Sequence, residues 1–93
     1  MSVIEFTNDN FRVLAYMYDN MDDSRLVKIT QQEVSDALGI SRVTINKIFK
    51  QLKEGDYLMQ DTSKIGRYYL TDTGVHIVKS RQLSDTRESF RIF

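Results

Sequence analysis

Between Ser41 and Lys53 the chain reads SRVTINKIFKQLK, with four bases and no acid. Wound as a helix, Ile45, Ile48, Phe49 and Leu52 fall at three- and four-residue spacing on one side, the pattern of a buried stripe. The positions left over are Arg42, Val43, Thr44, Asn46, Lys47, Lys50 and Lys53. A helix of that width fits the major groove of duplex DNA, where its first turns meet base edges. Arg42 can bond guanine through two parallel contacts, Asn46 can do the same with adenine, and Val43 and Thr44 offer methyl groups to thymine. Lys47, Lys50 and Lys53 suit phosphates, which supply affinity and register rather than sequence information. Ser41 is a cap, and the free N–H groups behind it can hold a further phosphate. Val43 points away from the Ile45 and Phe49 side, so core packing does not account for it. The competing reading of such a stretch is a solvated basic face with no partner.

Other residues qualify that reading. Lys64 and Arg67 bracket Ile65-Gly66 in a polar, turn-forming segment. The 61–67 wing is expected on the DNA backbone or in the minor groove, where a cation gains from the enhanced negative potential of a narrow groove, although an ordinary exposed turn has the same composition. Gln31 and Gln32 open the preceding helix, where phosphate contacts or plain helix formation both suit them. Enzymatic chemistry has little material. His76 is the only histidine and there is no cysteine, so nucleophilic dyads and thiolate zinc sites lack their parts. Asp22-Asp23 reads as a charged, solvated loop, and Tyr68-Tyr69 must alternate faces in a strand, one inward and one outward. No enzyme activity, cofactor or metal is expected.

The elements that position these residues are marked by caps and glycines, because the chain has no proline. The spacing predicts α1 over about Asn8–Asn20, with Phe11, Leu14, Ala15, Tyr18 and Met21 as its buried stripe. Val13, Tyr16 and Met17 lie off that stripe, so this helix is either a thick core helix or part of a subunit interface. Leu26, Val27 and Ile29 form a short β1 around Lys28. Thr30 and Glu33 make a capping box for α2, whose inward face is Val34, Ala37 and Leu38 and which ends at Gly39. Ile40 plugs the turn, Ser41 caps α3, and α3 stops before Gly55. Tyr57–Gln60 and Arg67–Leu70 read as β2 and β3 of a hairpin. Thr71 or Asp72 starts α4, which carries Val75, Ile77 and Val78. Beyond Leu83 the periodicity weakens, and Phe90, Ile92 and Phe93 are expected to dock on the domain or on a second subunit.

A capped helix, a glycine turn and a second capped helix form a helix-turn-helix, and the hairpin behind it makes a winged one. Over residues 26–75 the chain resembles winged helix-turn-helix DNA-binding regulators of bacteria, their phages and plasmids. The T-x-x-E cap, the G-I-S-R turn and Ile45, Phe49 and Leu52 before Gly55 are similar to Crp-type and GntR-type DNA-binding domains. Leu70-Thr71-x-x-Gly74 resembles the strand exit of MarR-like and PadR-like proteins. The resemblance implies a mainly α fold with a small β-hairpin, in the order α1-β1-α2-α3-β2-β3-α4. One domain is expected over residues 1–93, with the helix-turn-helix at 30–54, the wing at 57–70 and the carboxyl-terminal helix and tail at 71–93.

The chain has 93 residues, 13 Lys and Arg, 13 Asp and Glu, and no net charge. At 41% hydrophobic and 28% charged, it has the composition of a globular protein. No apolar run approaches the roughly 18 residues that span a membrane. The opening MSVIEFTNDNFR puts acids where a signal peptide carries bases, so cytoplasm is the expected compartment. The zero conceals a segregation. Residues 1–40 hold three bases and seven acids, 54–61 hold three acids alone, and 41–53 and 62–71 hold bases alone. The expected function is therefore sequence-specific binding of double-stranded DNA by a transcriptional repressor or regulator, as a homodimer paired through helix 1 and the carboxyl-terminal segment. A plasmid or phage replication or partition protein would use the same surface, and a winged helix that binds only protein would not.

Overall fold

A computed structural model of the chain describes residues 8–90, with side chains placed as far as Arg81. The elements are α1 (Asn8–Asn20), β1 (Leu26–Lys28), α2 (Gln31–Leu38), α3 (Arg42–Glu54), β2 (Leu58–Gln60), β3 (Arg67–Leu70) and α4 (Asp72–Phe90), in the expected order. The hairpin does not stand alone. β1 pairs with the other side of β3, giving a three-stranded antiparallel sheet of order β1-β3-β2. Val27 faces Tyr68 across one ladder and Leu58 faces Leu70 across the other, and all four are buried. The helix of residues 72–90 runs on past Leu83 without a break. The docking expected of Phe90, Ile92 and Phe93 lies outside the described side chains.

Local side-chain chemistry sets the helix ends. The Thr30 hydroxyl accepts from the Glu33 amide, and the Glu33 carboxylate accepts from the Thr30 amide, each at 3.1 Å. Gly39 closes α2 with φ at 67°, and nothing lies within 4 Å of where its Cβ would stand. This glycine is required by backbone conformation and not by space. The Ser41 hydroxyl accepts from the Thr44 amide at 3.2 Å and so caps α3. Arg12 of α1 donates to the Leu38 carbonyl at 2.7 Å, placing a cation on the electronegative end of α2. At the other end of the molecule the Thr71 hydroxyl accepts from the Gly74 amide at 3.0 Å and donates to the Asp56 carbonyl at 2.6 Å.

The core joins the stripe of α3 to the sheet and to α1. Phe49 meets Tyr68 edge-on, with ring centroids 5.0 Å apart. Two facing expectations are corrected. In α1 the buried residues are Asn10, Val13, Leu14 and Met17, whereas Phe11, Ala15, Tyr18 and Met21 are only half-buried. Val13 and Met17, read as lying off the stripe, are its centre. The amide of Asn10 is buried with them and donates to the Gln51 side chain of α3 at 3.2 Å. In α2, Ala37 is exposed and Ser35 is buried in its place, because the Ser35 hydroxyl donates to the Ile40 carbonyl at 2.5 Å and helps fold the turn.

Gly74 lies inside the first turn of α4 and does not end an element. A Cβ there would stand 2.2 Å from the Tyr57 carbonyl oxygen, so α4 can cross the residue before β2 only with a hydrogen at this position. Gly39→Ala should lower stability by about 1–2 kcal/mol, the cost of left-handed backbone with a side chain. Gly74→Ala should lower it further, because backbone must move to relieve the contact. Thermal melts of the two variants check the order, and a Gly74→Ala melt equal to the parent's would contradict the close crossing.

Candidate nucleic-acid interface

Burial of Ile45, Ile48, Phe49 and Leu52 turns the opposite side of α3 to solvent. Val43, Lys47 and Lys50 follow one another at helical spacing on that side, with Arg42, Asn46 and Lys53 along its flank, and all six are exposed. Val43 is 82% exposed, which settles that the core does not use it. Glu54, one turn beyond Lys50, belongs to the same helix, so the acid-free surface ends at Lys53. Arg42, Lys47 and Lys50 make no ion pair with any described residue; the pairs present are Arg12 with Asp9 and Arg25 with Asp72.

Several of the expected residues are already engaged. The Ser41 hydroxyl holds the Thr44 amide and also donates to the Thr44 hydroxyl at 2.8 Å, and Thr44 is half-buried. The Asn46 amide donates to the Gln31 side-chain oxygen at 3.2 Å. Because Asn46 has two N–H bonds and an acceptor oxygen, this contact leaves one donor and the acceptor available. Gln32 donates to Asp36 at 2.9 Å, so an acid stands beside it. Lys53 donates to Gln60 of β2 at 2.9 Å.

The wing borders α3 across a groove. Thr30, Gln31, Gln32 and Arg42 from the helices, with Gln60, Ile65, Gly66 and Tyr68 from the wing, line a groove of about 480 Å³ that contains no carboxylate. Lys64 and Ile65 are exposed at the tip and Arg67 is half-buried at its base. The tip is shaped by Gly66, at φ 76°, whose carbonyl accepts from the Ile29 amide at 2.8 Å. At the other side of the turn Asp61 accepts from the Ser63 hydroxyl at 2.6 Å and the Ser63 amide at 3.0 Å. The Ser63 hydroxyl above all, then its amide and the charges of Arg67 and Lys64, hold the Asp61 carboxyl below the usual carboxylate range.

One cation was not foreseen. Lys28 lies directly opposite Arg67 across β1 and β3, and like charges facing across a ladder repel unless an anion lies between them. The signal was present in the alternation around buried Val27, but the partner strand is 39 positions away and no local pattern names it. His76 is exposed beside Ser80, and no group of three potential metal ligands occurs among the described residues. No helix among them is long and apolar enough to cross a membrane.

Residues 11–73 match the family model of the Crp-like helix-turn-helix domain. No curated protein matches the chain. Solved structures do. MepR, a transcription regulator of the Staphylococcus aureus multidrug efflux pump MepA, is 21% identical with a TM-score of 0.72, covering 95% of this chain and 64% of its own. The S. aureus MepR–DNA complex is 21% identical with a TM-score of 0.68, covering 92% of this chain and 62% of its own. The adhesin competence repressor AdcR of Streptococcus pyogenes is 22% identical with a TM-score of 0.66, covering 99% and 64%. This chain thus spans less than two thirds of the length of each of these structures, and at such identities the likeness speaks for the fold: a winged helix-turn-helix.

The wing geometry makes a pH prediction. A depressed carboxyl contributes to order above its unfolded pKa and ceases to do so as pH falls through the folded one. Ser63→Ala should therefore raise the midpoint of the Asp61 carboxyl in an NMR titration toward that of a free aspartate. An unmoved midpoint would show that the Ser63 hydroxyl does not hold the turn.

Proposed function

Because this chain belongs to the Crp-like helix-turn-helix domain family, we propose that it is a transcription regulator that binds specific sequences in double-stranded DNA. The observation that carries the proposal is the solvent-facing side of α3, free of acid from Ser41 to Lys53, with its cations in no ion pair among the described residues and an exposed valine among them. Charge alone would suit any polyanion. An apolar side chain 82% exposed between Arg42 and Asn46 suits base edges, since only thymine's methyl offers an apolar partner in the major groove. The presence of a DNA complex and of regulators among the structural matches supports the same reading, and a regulator of this kind is not an enzyme.

The roles divide along α3. Arg42 reads guanine and Val43 reads thymine methyls. Asn46 reads adenine, with Gln31 fixing its amide so that one N–H and the oxygen face the base together. Lys47, Lys50 and Lys53 neutralise phosphates, joined by Lys64, Arg67 and the opposed Lys28 from the sheet. Gln32 and the helix start behind Ser41 lie where a phosphate would pass, and the Thr44 methyl is available beside its bonded hydroxyl.

Repression and pairing extend the same proposal. The half-buried Ala15 and Tyr18 on α1, with the α4 of 19 residues whose Arg81 lies over the Phe11 ring, form the surface for a second copy. Two copies on a palindrome put equivalent helices one DNA turn apart, about 34 Å. Selection of bound duplexes from a random pool tests the reading at once, because half-sites at that spacing support the homodimer and an unenriched pool refutes sequence-specific binding.

Two substitution tests follow. Arg42→Ala should cost about 1–3 kcal/mol at the selected site and relax preference at one base position, whereas Lys50→Ala should weaken all duplexes alike and flatten the salt dependence. If both variants bind selected and random DNA as the parent does, α3 is not in the major groove. Gln31→Ala should blur preference at the adenine read by Asn46. Gln31→Glu, whose carboxylate still accepts from Asn46, should keep the preference while lowering total affinity, and equal loss of preference in both variants would remove Gln31 from that role.

A further inference from the structure

Among the described residues the most exposed large apolar side chain is Ile65, at 98%. It stands at the tip of the wing, within a turn whose other residues from Asp61 to Gly66 are Thr62, Ser63 and Lys64. No described residue covers it, and the turn does not need it: Asp61 bonds Ser63 on one side, and Gly66 supplies the left-handed residue on the other. A β-branched apolar group there gains nothing from folding. Its place relative to α3 is informative. The acid-free groove has Gln31, Gln32 and Arg42 on the helix side and Gln60, Ile65 and Gly66 on the wing side. With α3 in the major groove, the strand of phosphates and sugars that bounds the groove passes between Arg42 and Ile65, and Ile65 emerges on its minor-groove side. Lys64 and Arg67 flank it with the charge that a minor groove attracts.

We propose that Ile65 is an apolar wedge that enters the minor groove next to the α3 site, partly unstacks a base step there, and bends the DNA. Side chains of this kind at the tips of minor-groove elements are used in this way, and the kink they produce opens the duplex toward the major groove. The wedge rests on the proposed binding of DNA by α3. It adds to that reading a deformation of the DNA, and with it a preference for flexible pyrimidine–purine steps at a position that no polar group of the protein reads.

The test uses the full chain and a fluorophore-ended duplex of about 40 base pairs carrying the sequence recovered from the random pool. The parent protein should shorten the end-to-end distance by an amount equal to a bend of roughly 20° or more. Ile65→Ser should abolish the shortening while methylation protection of major-groove guanines persists and the thermal melt is unchanged, since the side chain is 98% exposed. Ile65→Met, apolar and of similar reach, should restore the bend. An Ile65→Ser complex bent like the parent's, or a parent complex with straight DNA and intact guanine protection, overturns the wedge and leaves α3 binding in place. A parent protein that protects no guanine and enriches no sequence overturns both.

Discussion

The rotation of α3 about its own axis is set by four side chains. Ile45, Ile48, Phe49 and Leu52 are all buried, against α1 on one side and the sheet on the other, and each buried aliphatic or aromatic group is worth about 1.5–3 kcal/mol. No rotation other than the observed one keeps all four out of water. The composition of the opposite side is thereby free of folding constraints, and the groups found there are cations and an amide that a core would reject, with a valine that a core would accept but does not hold. Both ends of the helix are fixed as well, by Ser41 at one and the Gly55–Asp56 turn at the other. The outward face is presented at a defined angle and height, which base reading requires more than it requires affinity.

What could be read in the sequence was what is determined locally. The Thr30 and Glu33 box, the Gly39 turn, the Ser41 cap and the stripe of α3 each involve residues within a few positions of one another, and each stands where the spacing placed it. The facing of α1 was not legible in this way. It has two apolar rows, one through Leu14 and Met17 and one through Phe11 and Tyr18, and which turns inward depends on residues far along the chain. Ala37 and Ser35 traded places for a similar reason, since a serine that bonds the turn's carbonyl can be buried at little cost. The third strand and Lys28 opposite Arg67 rest on pairing between distant segments, for which a single sequence carries no periodicity. The exposed residues of α3 were legible, but their present partners were not: Gln31 beside Asn46 and Gln60 beside Lys53 bring separate elements together.

The charge of zero takes on a physical meaning when placed on the fold. Cations gather on α3, on the wing and at the opposed pair of β1 and β3, with Asp61 bonded into the wing turn and Asp36 beside Gln32, while Asp9 lies on α1 and Glu54 at the end of α3. A polyanion approaching at random meets no net attraction, and one approaching the α3 side meets a concentrated field. Such a distribution lowers the fraction of encounters that bind in the wrong orientation, at the expense of overall affinity for unrelated DNA.

The buried amide of Asn10, bonded to Gln51, bears on how α1 finds its place. Turning α1 by roughly 100°, one residue's worth of winding, would keep Leu14 inward and present Phe11, Ala15 and Tyr18 to the core in exchange for Asn10, Val13 and Met17. Apolar area hardly distinguishes the two arrangements. Asn10 does: in the alternative it moves off centre and Gln51 is left without its donor, a loss of about 1–3 kcal/mol if the group stays buried. The Asn10–Gln51 contact therefore works as a keyway, choosing between two nearly equivalent oily surfaces. The row it turns outward stays half-buried, and the guanidinium of Arg81 on α4 lies over its Phe11 ring.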